Sequence, residues 1–268
     1  MNKDEACSDS ALIDNGKPFD WGRTSDDYAR YRDIYPDDLF EKLHALDIGK
    51  KGQLVVDLGT GTGVVPRHLS RFGAQFIGVD ISAEQIARAG ELSVHDERCS
   101  WLVAPAENTR LPDSYADVVL ACQCFIYFDK EKIVSEILRI LKPGGVFAKI
   151  SMIWLPFEDE IARKTEAMIL HYNPEWSGAN YRRMTLQVAE WSKEHFEAAA
   201  LHTYDAQIPF TRDTWRGRIR ACRGMGASSL SEEIKTEFDK NFEKYSNENF
   251  PPSFSVLHQV WIEAYKKK

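Results

Sequence analysis

Residues Leu54 to Ser82 read LVVDLGTGTGVVPRHLSRFGAQFIGVDIS. Leu54-Val55-Val56 is an apolar run that ends in Asp57 and is followed within a few residues by Gly59, Gly61 and Gly63, which predicts a buried strand entering a glycine-rich turn. Val64 to Phe72 predicts a helix, with Pro66 tolerated because it sits in the first turn, where its missing N–H would be unpaired anyway. Gln75 to Val79 predicts a second strand, ending in Asp80. The unit is therefore strand, helix, strand, with an acid after each strand. Glycines let a backbone approach a ligand closely, and a helix start offers free N–H donors and a positive dipole end. An acid at the tip of the second strand can accept both hydroxyls of a ribose. The pattern points to a nucleoside-containing cofactor.

Spacing narrows the cofactor. The dinucleotide fingerprint is G-x-G-x-x-G, whereas this turn is G-x-G-x-G with Val64 where the third glycine belongs. Asp57-Leu58-Gly59-Thr60-Gly61-Thr62-Gly63 resembles motif I of the class I S-adenosylmethionine-dependent methyltransferases, and Asp80 matches that family's ribose-binding acid. Ala106-Glu107 before Leu111-Pro112, then Tyr115-Ala116-Asp117-Val118-Val119, then Leu141-Lys142-Pro143-Gly144-Gly145, are similar in order to its small-molecule, type 11-like branch. The likeness spans roughly residues 25 to 154. It implies a Rossmann-like, doubly wound α/β fold: a seven-stranded, mostly parallel sheet with an antiparallel last strand and a helical cap. It also implies S-adenosyl-L-methionine as cofactor, held by Asp57, Gly59, Thr60, Gly61, Gly63, Asp80, Ile81, Ala106, Glu107 and Gln123. The activity implied is methyl transfer to a small acceptor such as a carboxylate, thiol or amine. An NAD(P)-dependent oxidoreductase would share the strand-helix-strand unit, but Val64 and the Leu-Lys-Pro-Gly-Gly segment count against it. A catalytically silent S-adenosylmethionine-binding module would share every cofactor feature.

Composition sets outer limits. The chain has 268 residues, 43% hydrophobic and 28% charged, with a formal charge of −7. That is ordinary for a globular protein. The acidic balance argues against a phosphate-tracking nucleic-acid binder. No apolar run is long enough for a signal core or a membrane span. The odd set Cys7, Cys99, Cys122, Cys124 and Cys222 lacks a disulfide framework, so a reducing cytoplasm is the expectation. Cys122-x-Cys124 has no neighbouring ligands to complete a metal site and reads as core. No oligomeric state is specified.

The chain outside the opening stretch divides into a loosely held, Asp- and Ser-rich segment over 1–24 and one methyltransferase domain over 25–268, with cap insertions at about 155–184 and 212–250. Tyr28 to Pro36 concentrates tyrosine and arginine; Tyr28 and Arg32 resemble a Tyr-x-x-x-Arg element that folds over cofactor and substrate in related enzymes, the alternative being an aromatic segment packed on the sheet. Leu39, Phe40, Leu43 and Leu46 recur at helical spacing. Ser82 with Gln85 predicts a capping box, and Ile81 with Ile86 a hydrophobic staple. Further strands are expected at Trp101–Ala104, Ala116–Cys122 and Val146–Trp154. Pro105 stands where many relatives carry an acid, which moves any adenine contact to neighbouring backbone or to Glu107. Gln123, at the end of the fourth strand, either hydrogen-bonds a ligand or satisfies nearby backbone. The tetrad of amide- and nucleobase-methylating enzymes is absent there.

In the cap, Glu158, Asp159, His171, Tyr172, Trp176 and Tyr181 supply aromatics and acid/base groups. Of His171, His195, His202 and His258, only His171 falls in the first insertion, which makes it the candidate base. Tyr31, Tyr127 and Trp154 are candidates for the acceptor side. Val188 to Ala200 reads as a last flanking helix, His202 to Phe210 and Val256 to Tyr265 as the closing strands. Between them Arg212, Arg216, Arg220 and Arg223 form a row, Arg216 and Arg220 either capturing an anionic substrate or pairing with an acidic surface.

Overall fold

The computed structural model describes residues 10–268. Its strands are β1 (Leu54–Leu58), β2 (Gln75–Asp80), β3 (Cys99–Val103), β4 (Ala116–Cys122), β5 (Leu141–Trp154), β6 (Phe196–Thr211) and β7 (Ser253–Lys267). They form one sheet in the order β3-β2-β1-β4-β5-β7-β6. All neighbours are parallel except at β7, which runs antiparallel to both β5 and β6. This is the expected α/β architecture. Strand order reverses between β1 and β4, so the carboxyl ends of β1, β2 and β4 open onto the crevice where sheets of this kind bind ligands.

Among the described residues eight helices cover the sheet: α1 (Ser25–Tyr31), α2 (Asp37–Ala45), α3 (Val64–Leu69), α4 (Ala83–Leu92), α5 (Lys130–Ile140), α6 (Glu160–Tyr172), α7 (Arg212–Arg220) and α8 (Glu232–Asn249). The central strands are apolar on both faces because both faces are covered. Val55 and Leu120 belong to the cluster holding Leu39, Phe40, Leu43 and Trp215, while Val56, Leu58 and Val119 belong to the one holding Ile133 and Ile137 of α5. The α6, α7 and α8 helices form the cap. Trp215 of α7 is its centre, fully buried, with its indole N–H donating to Thr165 Oγ1 at 2.9 Å.

Three local expectations differ from the structure. Val188 to Ala200 is not a helix: a single 3-10 turn at Glu190–Ser192 leads into β6 at Phe196. Ala198 to Ala200 favour helix intrinsically, but pairing with β7 runs from Phe196↔Lys267 to Thr211↔Ser253, and this long ladder overrides propensity. Ile81 forms no staple, being 74% exposed beside the crevice. Ser82 Oγ does accept the Gln85 N–H at 3.2 Å, but the Gln85 amide turns away and donates to Trp21 O at 2.9 Å.

Residues 1–9 of the expected loose N-terminal segment, with Cys7, lie outside the described residues. Farther along, the segment is docked rather than trailing. Asp14 is buried, pairs with Arg223, and accepts from Ser177 N at 2.7 Å. Asp20 N donates to Ala227 O at 2.8 Å, so the segment crosses the cap before entering α1. Among the described residues no helix is long and apolar enough to cross a membrane, and no group of His, Cys, Asp and Glu is arranged to hold a metal.

Candidate cofactor and acceptor site

The turn after β1 is held in a shape only glycine accepts readily: Gly59 and Gly61 have φ of +64° and +56°. Thr60 N donates to Val79 O at 2.9 Å, tying the turn to β2. Asp80, at the tip of β2, accepts Gly61 N through Oδ2 at 2.8 Å and Ser82 N through Oδ1 at 2.9 Å. Two backbone donors thus fix the carboxylate, and each oxygen keeps a lone pair for the cavity it lines. Burial raises the Asp80 pKa, against the pull of those N–H groups. The cavity, of about 300 Å³, is lined by Gly59, Gly61, Asp80, Ile81, Ala106 and Glu107. Acidic acceptors, a close-approach backbone and the apolar face of Ile81 suit a nucleoside.

Three residues expected at the cofactor lie behind the turn instead. Thr60 uses its hydroxyl on Asp57 Oδ2, at 2.6 Å. A Cβ on Gly63 would fall 2.2 Å from the Trp101 ring, so this glycine exists to let β3's tryptophan pack. The α3 helix is a short piece whose first residues Val64 and Val65 are buried, so the cavity is lined by the turn and not by the helix start. Asp57 is 1% exposed, and its Oδ1 has no hydrogen-bond partner among the described residues. Burial, and next the charge of Asp80, raise its pKa to about 7, against the Thr60 hydrogen bond.

Aromatic rings wall the cavity. Trp21 meets Tyr28 and Tyr127 edge-on at 5.9 and 6.0 Å, and Phe19 lies 5.3 Å from Tyr127. Arg32 stacks on Tyr28 at 4.8 Å. Trp21, Arg32, Gln123 and Tyr127 also line a second cavity, of about 130 Å³, which continues to Trp154, Trp176 and Arg218 beneath the cap. Gln123, at φ +64°, spends its amide on Met152: its Oε1 accepts Met152 N at 3.0 Å and its Nε2 donates to Met152 O. It lines both cavities while locking the end of β4 to β5.

The structure separates the remaining candidates. Tyr28, Arg32, Tyr127 and Trp154 converge on the two cavities. Tyr31 does not: it lines neither cavity, and its ring packs against Gly217 of α7. His171 is exposed at the end of α6 and lines neither cavity, because the inward stripe of that helix is Ala162, Thr165, Glu166 and Ile169. His195, His202 and His258 line neither cavity as well. Arg216 pairs with Asp239 and Glu243, and Arg220 with Asp27 and Asp239, so these arginines clamp α7 to α8 and α1 rather than facing a ligand. Sequence reasoning passed over Phe19, Trp21 and Arg218. A signal for Arg218 was present: it shares the apolar phase of Trp215, Ile219 and Cys222, where a charged residue is out of place.

A family model described as a methyltransferase domain matches residues 56–148. 2-Methyl-6-phytyl-1,4-hydroquinone methyltransferase of Synechocystis sp. is 35% identical over 103 residues, 38% of this chain and 32% of that protein. The chloroplastic tocopherol O-methyltransferase of Arabidopsis thaliana is 28% identical over 197 residues, 65% of this chain and 54% of that one. The chain thus spans about a third to about half of these relatives' length. Among solved structures, a putative type II methyltransferase from Anaeromyxobacter dehalogenans superposes with a TM-score of 0.54 at 20% identity, covering 87% of this chain and 95% of that one. That is a likeness of fold.

Proposed function

We propose that this chain, which belongs to the class I S-adenosylmethionine-dependent methyltransferases, transfers a methyl group from that cofactor to a small-molecule acceptor seated in the second cavity. The observation that carries the reading is the junction: the cavity edged by Gly59, Gly61 and Asp80 adjoins one beneath the cap, with Trp21, Arg32, Gln123 and Tyr127 shared between them. The two relatives above are named as methyltransferases of a phytyl hydroquinone and of tocopherol, which supports the class without extending their acceptors to this chain.

Asp80 would receive the ribose hydroxyls, its carboxylate pre-set by the Gly61 and Ser82 N–H groups. Gly59 and Gly61 would let the backbone approach the amino-acid portion, with the buried carboxyl of Asp57 behind them. Ile81, Ala106 and Glu107 would border the adenine. When bound, the cofactor would supply a methyl already activated on a sulfonium. What remains for the protein is alignment and exclusion of water. Trp21, Tyr28 and Tyr127 serve both, and their ring faces favour a cationic sulfonium. No histidine lines either cavity among the described residues, so removal of a proton from an acceptor would fall to another lining group such as Glu107. The four described cysteines are free, consistent with the reducing cytoplasm we propose as its location.

The test is calorimetric titration with S-adenosylhomocysteine, with NADH in parallel, followed by transfer of labelled methyl to a panel of small acids, thiols and amines. Micromolar binding of the first ligand alone, with label on an acceptor, supports the reading. Preference for NADH overturns it. Binding without transfer to any acceptor marks a silent cofactor-binding module.

A further inference from the structure

Of the arginines on and just after α7, Arg212 hydrogen-bonds Phe250 O, Arg216 and Arg220 are tied to carboxylates, and Arg223 pairs with Asp14. Arg218 is different. It is 7% exposed, it has no ion pair among the described residues, and its Nε and Nη1 have no hydrogen-bond partner. Its guanidinium lies 5.2 Å from the Trp154 ring centroid and lines the second cavity. Arg32, from the segment after α1, lines that same cavity and likewise has no carboxylate partner among the described residues. The nearby His258 is buried with an unpartnered Nε2, and burial together with the Arg218 and Arg32 charges drives its pKa down to about 3, so it contributes no negative charge. Arg32 and Arg218 therefore converge, neither with a carboxylate of its own among the described residues, on one small cavity that Arg223, paired with Asp14, also lines.

An uncompensated buried charge is among the costliest arrangements a fold can keep. The burden is visible in Arg218 itself, whose pKa is lowered to about 10 by burial and by the neighbouring Arg32. A structural arginine would be paired, as Arg216 and Arg220 are. We propose that Arg218 and Arg32 form an oxyanion subsite, and that the acceptor carries a carboxylate or phosphate held there while its reacting atom faces the cofactor cavity. This deepens the methyl-transfer reading and rests on it for the neighbouring cofactor. Guanidinium donors match the planar geometry of such groups, and Trp154, Trp176 and Tyr127 around them strengthen each hydrogen bond by excluding water. Of the arginine row picked out by its spacing, Arg212, Arg216 and Arg220 do not line this cavity, and Arg223, at its end, lines it beside Arg218.

The experiment uses the full chain saturated with S-adenosylhomocysteine and titrates it with malonate, with inorganic phosphate and with uncharged malonamide. Saturable binding of malonate or phosphate, at least tenfold tighter than malonamide, is expected, and whichever anion binds more tightly identifies the class. Arg218→Gln should weaken that binding at least tenfold while leaving S-adenosylhomocysteine affinity within about twofold, with Arg218→Lys partly restoring it. Thermal unfolding of the ligand-free chain separates this role from a structural one: Arg218→Met should hold or raise Tm, whereas Arg216→Met should lower it. Equal binding of malonate and malonamide, or a lowered Tm in Arg218→Met, overturns the subsite. Failure of S-adenosylhomocysteine to bind the wild-type chain would instead overturn the cofactor reading, and anion binding by the ligand-free chain would still be measurable.

Discussion

Two carboxylates with different roles flank the glycine turn. Asp80 faces the cavity and organises two backbone donors, so Asp80→Ala removes a ribose acceptor and orphans the N–H groups of Gly61 and Ser82. A lost partner of this kind costs about 1–3 kcal/mol. Calorimetry should show S-adenosylhomocysteine binding weakened by one to two orders of magnitude, and an unchanged Kd would remove Asp80 from the site. Asp57 faces inward and titrates high, its pKa moved from 3.8 to about 7. Between those values the folded chain holds a proton that the unfolded chain has released, so this group makes stability fall as pH rises through that window. Asp57→Asn cannot ionise. Its Tm should match wild type near pH 4 and exceed it increasingly up to pH 8 in the ligand-free protein; parallel Tm profiles would show that Asp57 is not held in this state.

At the level of elements, the site is assembled by how α7 meets α1. Gly217 allows the contact, because a Cβ there would lie 2.4 Å from the Tyr31 ring. The ion pairs of Arg216 and Arg220 then hold α7 against α8 and Asp27. Gly217→Ala tests the packing. Helix propensity alone would stabilise by up to about 1 kcal/mol, and overpacking costs about 1–3 kcal/mol. The close approach to the ring's inner atoms makes the second effect larger, so chemical denaturation should show a net loss of stability. A gain would mean that the two helices are free to separate.

For the whole molecule, the N-terminal segment, the cap and the sheet edge close around one crevice. Trp21 is the joint: its carbonyl accepts from Gln85 of α4 and its ring meets Tyr28 and Tyr127. Trp21→Ala should weaken S-adenosylhomocysteine binding by about tenfold, near 1.4 kcal/mol, with unchanged far-ultraviolet circular dichroism. Ligand linkage gives a second global readout. At a hundredfold excess over Kd the bound ligand should add about 2.7 kcal/mol, several degrees of Tm. The increment should shrink in both Trp21→Ala and Asp80→Ala at fixed ligand concentration. A full increment in either variant would leave that residue without a part in binding.

What the sequence determined by itself is local and short-range. The apolar run before Asp57, the packed glycines and the acid ending β2 specify a parallel strand-turn-helix-strand unit and its ligand-facing tip, because each signal acts within a few residues. Asp129 caps α5 as its side chain implies, accepting Lys132 N at 3.2 Å. What tertiary structure decided is which side of each element faces inward. Gly63 looks like a cofactor glycine until Trp101 arrives from β3 to fill its missing side chain. His171 lies in the expected cap but on its outer face, and Ala198 to Ala200 become strand because β7 offers a ladder. On α7 Arg216 and Arg220 face acidic partners from α1 and α8, leaving Arg218, the one on the apolar side, turned toward the cavity. Spacing can place a side chain on a helix face; the neighbours, brought together from distant parts of the chain, settle whether that face meets solvent, a carboxylate or a ligand.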